Sequence, residues 1–177
     1  MTDRSGDAAP EQSVKLLADA TLGRLAKWLR LLGYDTAYVS GSDAWAVMRQ
    51  ARAEKRLVLT RDHKLAGWRG VRSLLIESVS LEGQLQQVWA ALGVPPEPAT
   101  PRCPICNHPL EAAPSDLVSE RLPAYVQRTQ QDCSWCPSCD QLYWRGTHWQ
   151  RIETLVSRLR DEASSDTMNH QSSNAEA

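Results

Sequence analysis

From residue 14 onward, two hydrophobic spacings take turns along the chain. Short continuous apolar runs are followed by stretches in which apolar side chains recur every three or four positions. Residues 14–18 form the first run, which reads as a strand. Leu22, Leu25, Ala26, Leu29 and Leu32 then recur at helical spacing, and Gly33 follows as a C-terminal stop. Residues 36–39 can form a second strand. Ser42 or Asp43 caps a helix running to about residue 55. Leu57-Val58-Leu59-Thr60 reads as a buried strand, residues 62–68 as a short helix, 71–76 as a strand, and 81–92 as a helix stopped by Gly93. Strands alternating with helices predict an α/β fold, a mainly parallel sheet with helices on both faces. In such sheets ligands sit beyond the C-terminal ends of the strands.

Pattern also divides the chain. Residues 1–13 and 161–177 are rich in Ser, Asp, Asn, Ala and Glu and have little to bury, which predicts disordered tails. The α/β domain is expected over 14–94. A Pro-rich linker at 95–101 separates it from a second unit at 102–160. No stretch approaches the length of an apolar membrane span, and residues 1–13 lack the apolar core of a secretory signal. The expected compartment is the cytoplasm, where five cysteines with metal-ligand spacing suggest zinc rather than disulfides.

Within the second unit, Cys103-Pro104-Ile105-Cys106 and Cys136-Pro137-Ser138-Cys139 stand 29 residues apart. Two such knuckles converging from separate hairpins make the tetrahedral sulfur cage of a structural zinc ribbon. Four thiolates leave no open coordination position for catalysis. Cys133 could also pair with Cys136 by spacing. Only the favoured pairs, however, read Cys-Pro-x-Cys followed by Asn107 or Asp140, residues that tolerate the left-handed backbone a knuckle demands. Cys133 is therefore expected to be a non-ligand. The following stretch, residues 142–149, mixes aromatic and basic groups including Arg145. It suits either nucleic-acid stacking or a strand packed on the first domain.

In the first unit, Asp19 and Asp62 each follow a predicted strand, and Asp43 opens the helix between them. Three carboxylates converging at one sheet edge would repel each other unless a cation sat between them. Mg²⁺ or Mn²⁺ is the natural ion, and such a site can bring water against a phosphodiester. The plainer alternative is that all three merely cap helices. Glu77 and Glu82 could add a fourth carboxylate. Arg24, Lys27 and Arg30 recur every three residues on what reads as the polar side of the first helix, either a phosphate-tracking stripe or a solvated face. Arg61 and Lys64 bracket Asp62 and could contact phosphate. Trp28, Trp45, Trp68 and Trp89 are expected in or beside the core.

Charge changes this picture little. Residues 14–100 carry 12 Lys or Arg against 8 Asp or Glu, and residues 101–160 carry 7 against 6, while both ends are acidic. A mildly basic body with acidic tails neither demands nor excludes an RNA partner.

Several separated motifs resemble one family. Asp19-x-x-Leu22-Gly23-x-Leu25-Ala26-x-Trp28-Leu29-Arg30-x-Leu32-Gly33-Tyr34-Asp35, then Leu59-Thr60-Arg61-Asp62, are similar to the opening of the Mut-7 C-terminal RNase domain family, a PIN-like group. So are Arg102-Cys103-Pro104-x-Cys106-Asn107, Pro123-x-Tyr125-Val126, and the run from Tyr143 to Trp149. The resemblance implies a PIN-like fold fused to a zinc ribbon and a metal-dependent ribonuclease with RNA as its partner. It implies acidic positions at Asp19 and Asp62, and less securely at Asp43, where the family is often more acidic. Two other readings stand beside it: a non-catalytic RNA- or ribosome-binding module, and a toxin-like protein that binds a protein partner.

Overall fold

A computed structural model describes residues 14–41, 43–93, 99–129, 132–144, 153–154, 156–158 and 161. The expected tails apart from Asp161, which is helical, lie outside the described residues, as do Ser42, most of the Pro-rich linker and the run from Arg145 to Trp149. In chain order come β1 (Leu16–Ala18), a 3-10 turn (Ala20–Leu22), α1 (Gly23–Leu31), β2 (Thr36–Tyr38), α2 (Ala44–Glu54), β3 (Leu57–Thr60), α3 (His63–Ala66), β4 (Ser73–Leu75) and α4 (Leu81–Leu92). After these come β5 (Glu111–Ala112), α5 (Ser115–Arg121), α6 (Ala124–Thr129), β6 (Cys133–Cys136) and β7 (Gln141–Trp144).

The first four strands pair in parallel in the order β2-β1-β3-β4. Their apolar runs are continuous because both sheet faces are covered. Alternation along β1 divides the core in two. Leu16 and Ala18 join Leu25, Ala26 and Leu29 of α1 and Leu85, Val88 and Trp89 of α4 on one face. Leu17 and Val58 join Val47, Met48 and Ala51 of α2 and Leu65 of α3 on the other. Each fully buried leucine contributes about 1.5–3 kcal/mol, so this two-faced packing is what holds the strand ends in place.

The remaining strands form an antiparallel sheet in the order β5-β6-β7. Two helices, α5 and α6, fill much of the interval between the knuckles. A few residues near the end of the expected second unit are described. Residues 153–154 and 156–158 are helical, Val156 is buried in the cluster that holds Leu16 and Leu25, and Arg158 pairs with Glu82 of α4. The described residues of this last segment therefore pack on the first domain.

The two units are joined through Arg30. It does not continue the exposed face of Arg24 and Lys27: only 6% of it is accessible. Three-residue steps on a helix drift by about 60° each, so Arg30 lies about 120° around α1 from Arg24, toward the covered side. Its Nε donates to the Thr36 carbonyl at 2.8 Å, and its Nη1 donates to the carbonyls of Pro104 at 2.8 Å and Ile105 at 3.1 Å in the first knuckle. Asn107 completes the joint. Its side-chain oxygen accepts from the Thr36 amide at 3.0 Å and its amide group donates to Asp35 at 2.7 Å.

Candidate metal centre and carboxylate edge

The two knuckles are built alike. Asn107 and Asp140 have φ of 68° and 54°, the left-handed turn their residue types allow. Their amides donate to the carbonyls of Cys103 and Cys136, each at 2.9 Å. The turns bring Cys103, Cys106, Cys136 and Cys139 together with all four sulfurs within 4.8 Å of one another. Cys103 and Cys139 are 3.5 Å apart, and Cys106 and Cys136 are 3.4 Å apart. Tetrahedral zinc with bonds of about 2.3 Å needs sulfurs about 3.8 Å apart, so a small outward relaxation accommodates the ion. The four cysteines are close enough to bind a metal ion, consistent with structural zinc. Cys133 lies at the other end of β6 and takes no part in the group.

The electrostatics of the cage favour a cation. Burial alone would push the Cys103 thiol up, but hydrogen bonds from the Tyr143 hydroxyl and the Cys106 and Ile105 amides outweigh it and bring the thiol down to about 6. Burial, then hydrogen bonding with Cys103 and Cys136, pushes Cys139 up. One thiolate is favoured here over further ones, so a bound cation would be what lets all four ionise.

At the C-terminal ends of the parallel strands, Asp19 follows β1 and Asp62 lies two residues beyond β3. These strands are neighbours, with Ala18 opposite Leu59. The chain leaves β1 for β2 on one side and reaches β3 on the other, so the β1–β3 boundary is the sheet's topological switch point. Asp19 is buried, at 6% exposure. One oxygen accepts from the Thr21 amide at 2.8 Å and from the Thr21 hydroxyl, and the other accepts from the Thr60 hydroxyl. Thr60 Oγ1 in turn accepts from the Asp62 amide at 2.9 Å. Thr60 therefore links the two acidic positions. Pattern reading treated it only as the end of an apolar strand, and a hydroxyl closing such a run was the one available signal.

Asp43 and Asp62 also cap helices, accepting from the amides of Trp45 at 2.9 Å and Lys64 at 2.8 Å. The capping alternative is thus realised at all three aspartates. It does not exhaust them: Asp43 and Asp62 each bond through one oxygen, and the second has no hydrogen bond among the described residues. Among those residues, only the four cysteines form a group of three or more potential ligands within 4.8 Å; Asp19, Asp43 and Asp62 do not draw in that closely. Glu82 is drawn away by Arg158, and Glu77 stays exposed beyond β4.

Arg24, Lys27, Arg61 and Lys64 are all exposed. Trp89 is buried, while Trp28 and Trp68 pack half-buried against the two core clusters. Trp45 departs from the core expectation and is 70% exposed. It lies two positions, about 200° of rotation, before Val47 in the buried seam of α2. Among the described residues its only ring contact is edge-on to Trp68, centroids 4.9 Å apart. No helix among the described residues is long and apolar enough to cross a membrane.

No curated protein and no solved structure matches the chain. A family model, the Mut7-C RNAse domain, matches residues 14–156, which takes in both the carboxylate edge and the cysteine cage. That description points to a nuclease-type function with RNA as substrate. The chain belongs to the Mut7-C RNAse domain family.

Proposed function

We propose that the carboxylate edge is the active site of a metal-dependent ribonuclease that hydrolyses RNA phosphodiester bonds. The observation that carries this reading is the linkage of Asp19 to Asp62 through Thr60 at the switch point between β1 and β3. Mg²⁺ and Mn²⁺ are commonly held by one or two carboxylates, with waters and substrate phosphate filling the other positions. Asp19 and Asp62 supply such a pair, and Asp43, at the start of α2, a third hard oxygen donor. A divalent cation there would neutralise developing charge and make water a better nucleophile.

The chain's own residues do the rest. Thr21 and Thr60 fix the Asp19 carboxylate so that it cannot rotate away. The free oxygen of Asp62 can accept a proton from an approaching water. Arg61 and Lys64 flank Asp62 and are exposed, so they can meet the phosphate and hold it in line for attack. Arg24, Lys27 and Arg145 are further candidates for backbone contact. The ribbon's metal is structural zinc in this reading. The cytoplasm is the proposed compartment, since all five cysteines are free and four serve the cage.

Asp62→Asn tests the mechanism, because asparagine still caps α3. Cleavage of a mixed RNA panel in Mn²⁺ should fall at least about a hundredfold with folding intact. Full cleavage by a clean preparation would sink the proposal. One observation favours a second reading: the three carboxylates do not close to metal-cluster distance on their own. RNA binding without any turnover in Mn²⁺ would identify a non-catalytic RNA-binding module.

A further inference from the structure

At the opposite edge of the parallel sheet, where β1, β3 and β4 begin, lies an open cavity of about 820 Å³. Among the described residues, five cationic side chains line it, Lys15, Arg52, Lys55, Arg56 and Arg72, against one carboxylate, Glu54. Arg56 is already matched, bonded to both Glu54 and Asp35. The other four stand in no ion pair among the described residues, and Lys15, Arg52, Lys55 and Arg72 are exposed. Like charges collected around one concavity repel each other and raise the local positive potential, which a bound polyanion relieves.

The site is partly fixed in advance. Arg52 donates to the Arg69 carbonyl at 3.0 Å, and its guanidinium lies 3.1 Å from where a side chain on Gly70 would begin. Gly70, at φ +82°, leaves that space open. Lys55 is held by the left-handed C-cap of α2, at φ 54°. Among the described residues no aromatic ring lines the cavity. It therefore offers no platform for stacking bases, and its chemistry suits charge and hydrogen bonding to phosphates.

We infer that this cavity is a second RNA contact, a sequence-independent seat for the phosphate backbone of a single strand whose reacting bond lies at the other edge of the sheet. The identity of the polyanion rests on the ribonuclease reading; the anion-binding chemistry does not. Seating the strand at both edges would make affinity depend on RNA length, because a short substrate reaches only the carboxylates.

The test uses the zinc-loaded full chain carrying Asp62→Asn, so that binding is measured without turnover. Fluorescence anisotropy of a labelled, unstructured, roughly 20-nucleotide RNA is followed across a salt series. The triple substitution Lys15→Gln, Lys55→Gln, Arg72→Gln should weaken binding about tenfold or more and reduce the slope of log affinity on log salt by about 2. Unchanged affinity and slope would overturn the inference. Lys55→Gln alone, expected to weaken binding about threefold and lower the slope by roughly 0.7, is the fallback if the triple variant melts early. Loss of binding to polyglutamate but not to RNA would overturn it in favour of an acidic protein partner. A wild-type chain that cleaves no RNA, yet shows the predicted slope change, would sink the active-site proposal and leave this contact standing.

Discussion

Arg30 of α1 donates to the carbonyl of Pro104 at 2.8 Å, so a cation from the α/β domain sits inside the first knuckle of the ribbon. The same side chain bonds Ile105 and Thr36, and the Arg102 amide donates to the carbonyl of Arg30 at 2.8 Å. Cutting this joint strands the buried Thr36 carbonyl and the part-buried carbonyls of Pro104 and Ile105 at once. Arg30→Met should destabilise the zinc-loaded protein by about 2–4 kcal/mol, read from urea unfolding. A loss below about 0.5 kcal/mol would mean that the two units do not depend on this residue.

The cage predicts one zinc per chain. Cys136→Ser should abolish stoichiometric zinc and loosen the β5-β6-β7 sheet, whereas Cys133→Ser should retain both. Metal analysis beside circular dichroism distinguishes them. Zinc lost equally in the two variants would put Cys133 in the cage.

Thr60 offers a sharper probe than the acids themselves. Thr60→Val keeps the shape but removes the hydroxyl that holds Asp19 and receives the Asp62 amide. Activity on RNA should fall about 10- to 100-fold, and stability by about 1–3 kcal/mol. Thr60→Ser should recover most of the activity. If valine and serine behave alike, the linkage has no catalytic weight.

Asp35 sets a pH dependence. Burial would raise its carboxyl, but hydrogen bonds from Arg56 and Asn107 outweigh this and hold it below the usual carboxylate range. A group depressed on folding stabilises the native state above its unfolded value. That contribution is lost as pH falls through the folded value. The stability advantage of wild type over Asp35→Asn should therefore be constant above about pH 5 and shrink as pH drops below about 4. Urea midpoints across that range check it, and an advantage that grows with acid would refute it.

Much of the molecule could be read from its residue pattern, and the failures share a cause. Leu16, Leu17 and Ala18 announced a strand buried on both faces, and the helices arrived on both sides. Asn107 and Asp140 announced the left-handed turns that pick the right cysteines. These are local properties, fixed by a residue and its immediate neighbours. Arg30 was misjudged, and the link made by the correctly buried Thr60 went unread, because what surrounds them comes from elsewhere in the chain. Arg30 meets residues more than seventy positions away, and Thr60 meets Asp19 from the neighbouring strand, forty-one positions away. Trp45 was taken for core on its chemistry, although its angular position on α2 turns it outward. The Asp43 and Asp62 caps were legible from spacing; that each keeps an oxygen to spare was not.

Because Val156 closes a cluster begun by Leu16, roughly 140 residues earlier, the first domain has unusually non-local wiring for its size. A ribosome must release the entire ribbon before the last buried side chain of that core can arrive. Zinc capture along the way shortens the effective loop, since a folded segment brings its two ends together more cheaply than a slack one. If zinc fills the cage, metal supply should set the pace of maturation for a domain that contains no cysteine. Refolding of the α/β unit should slow when zinc is withheld, even though its own side chains never touch the ion.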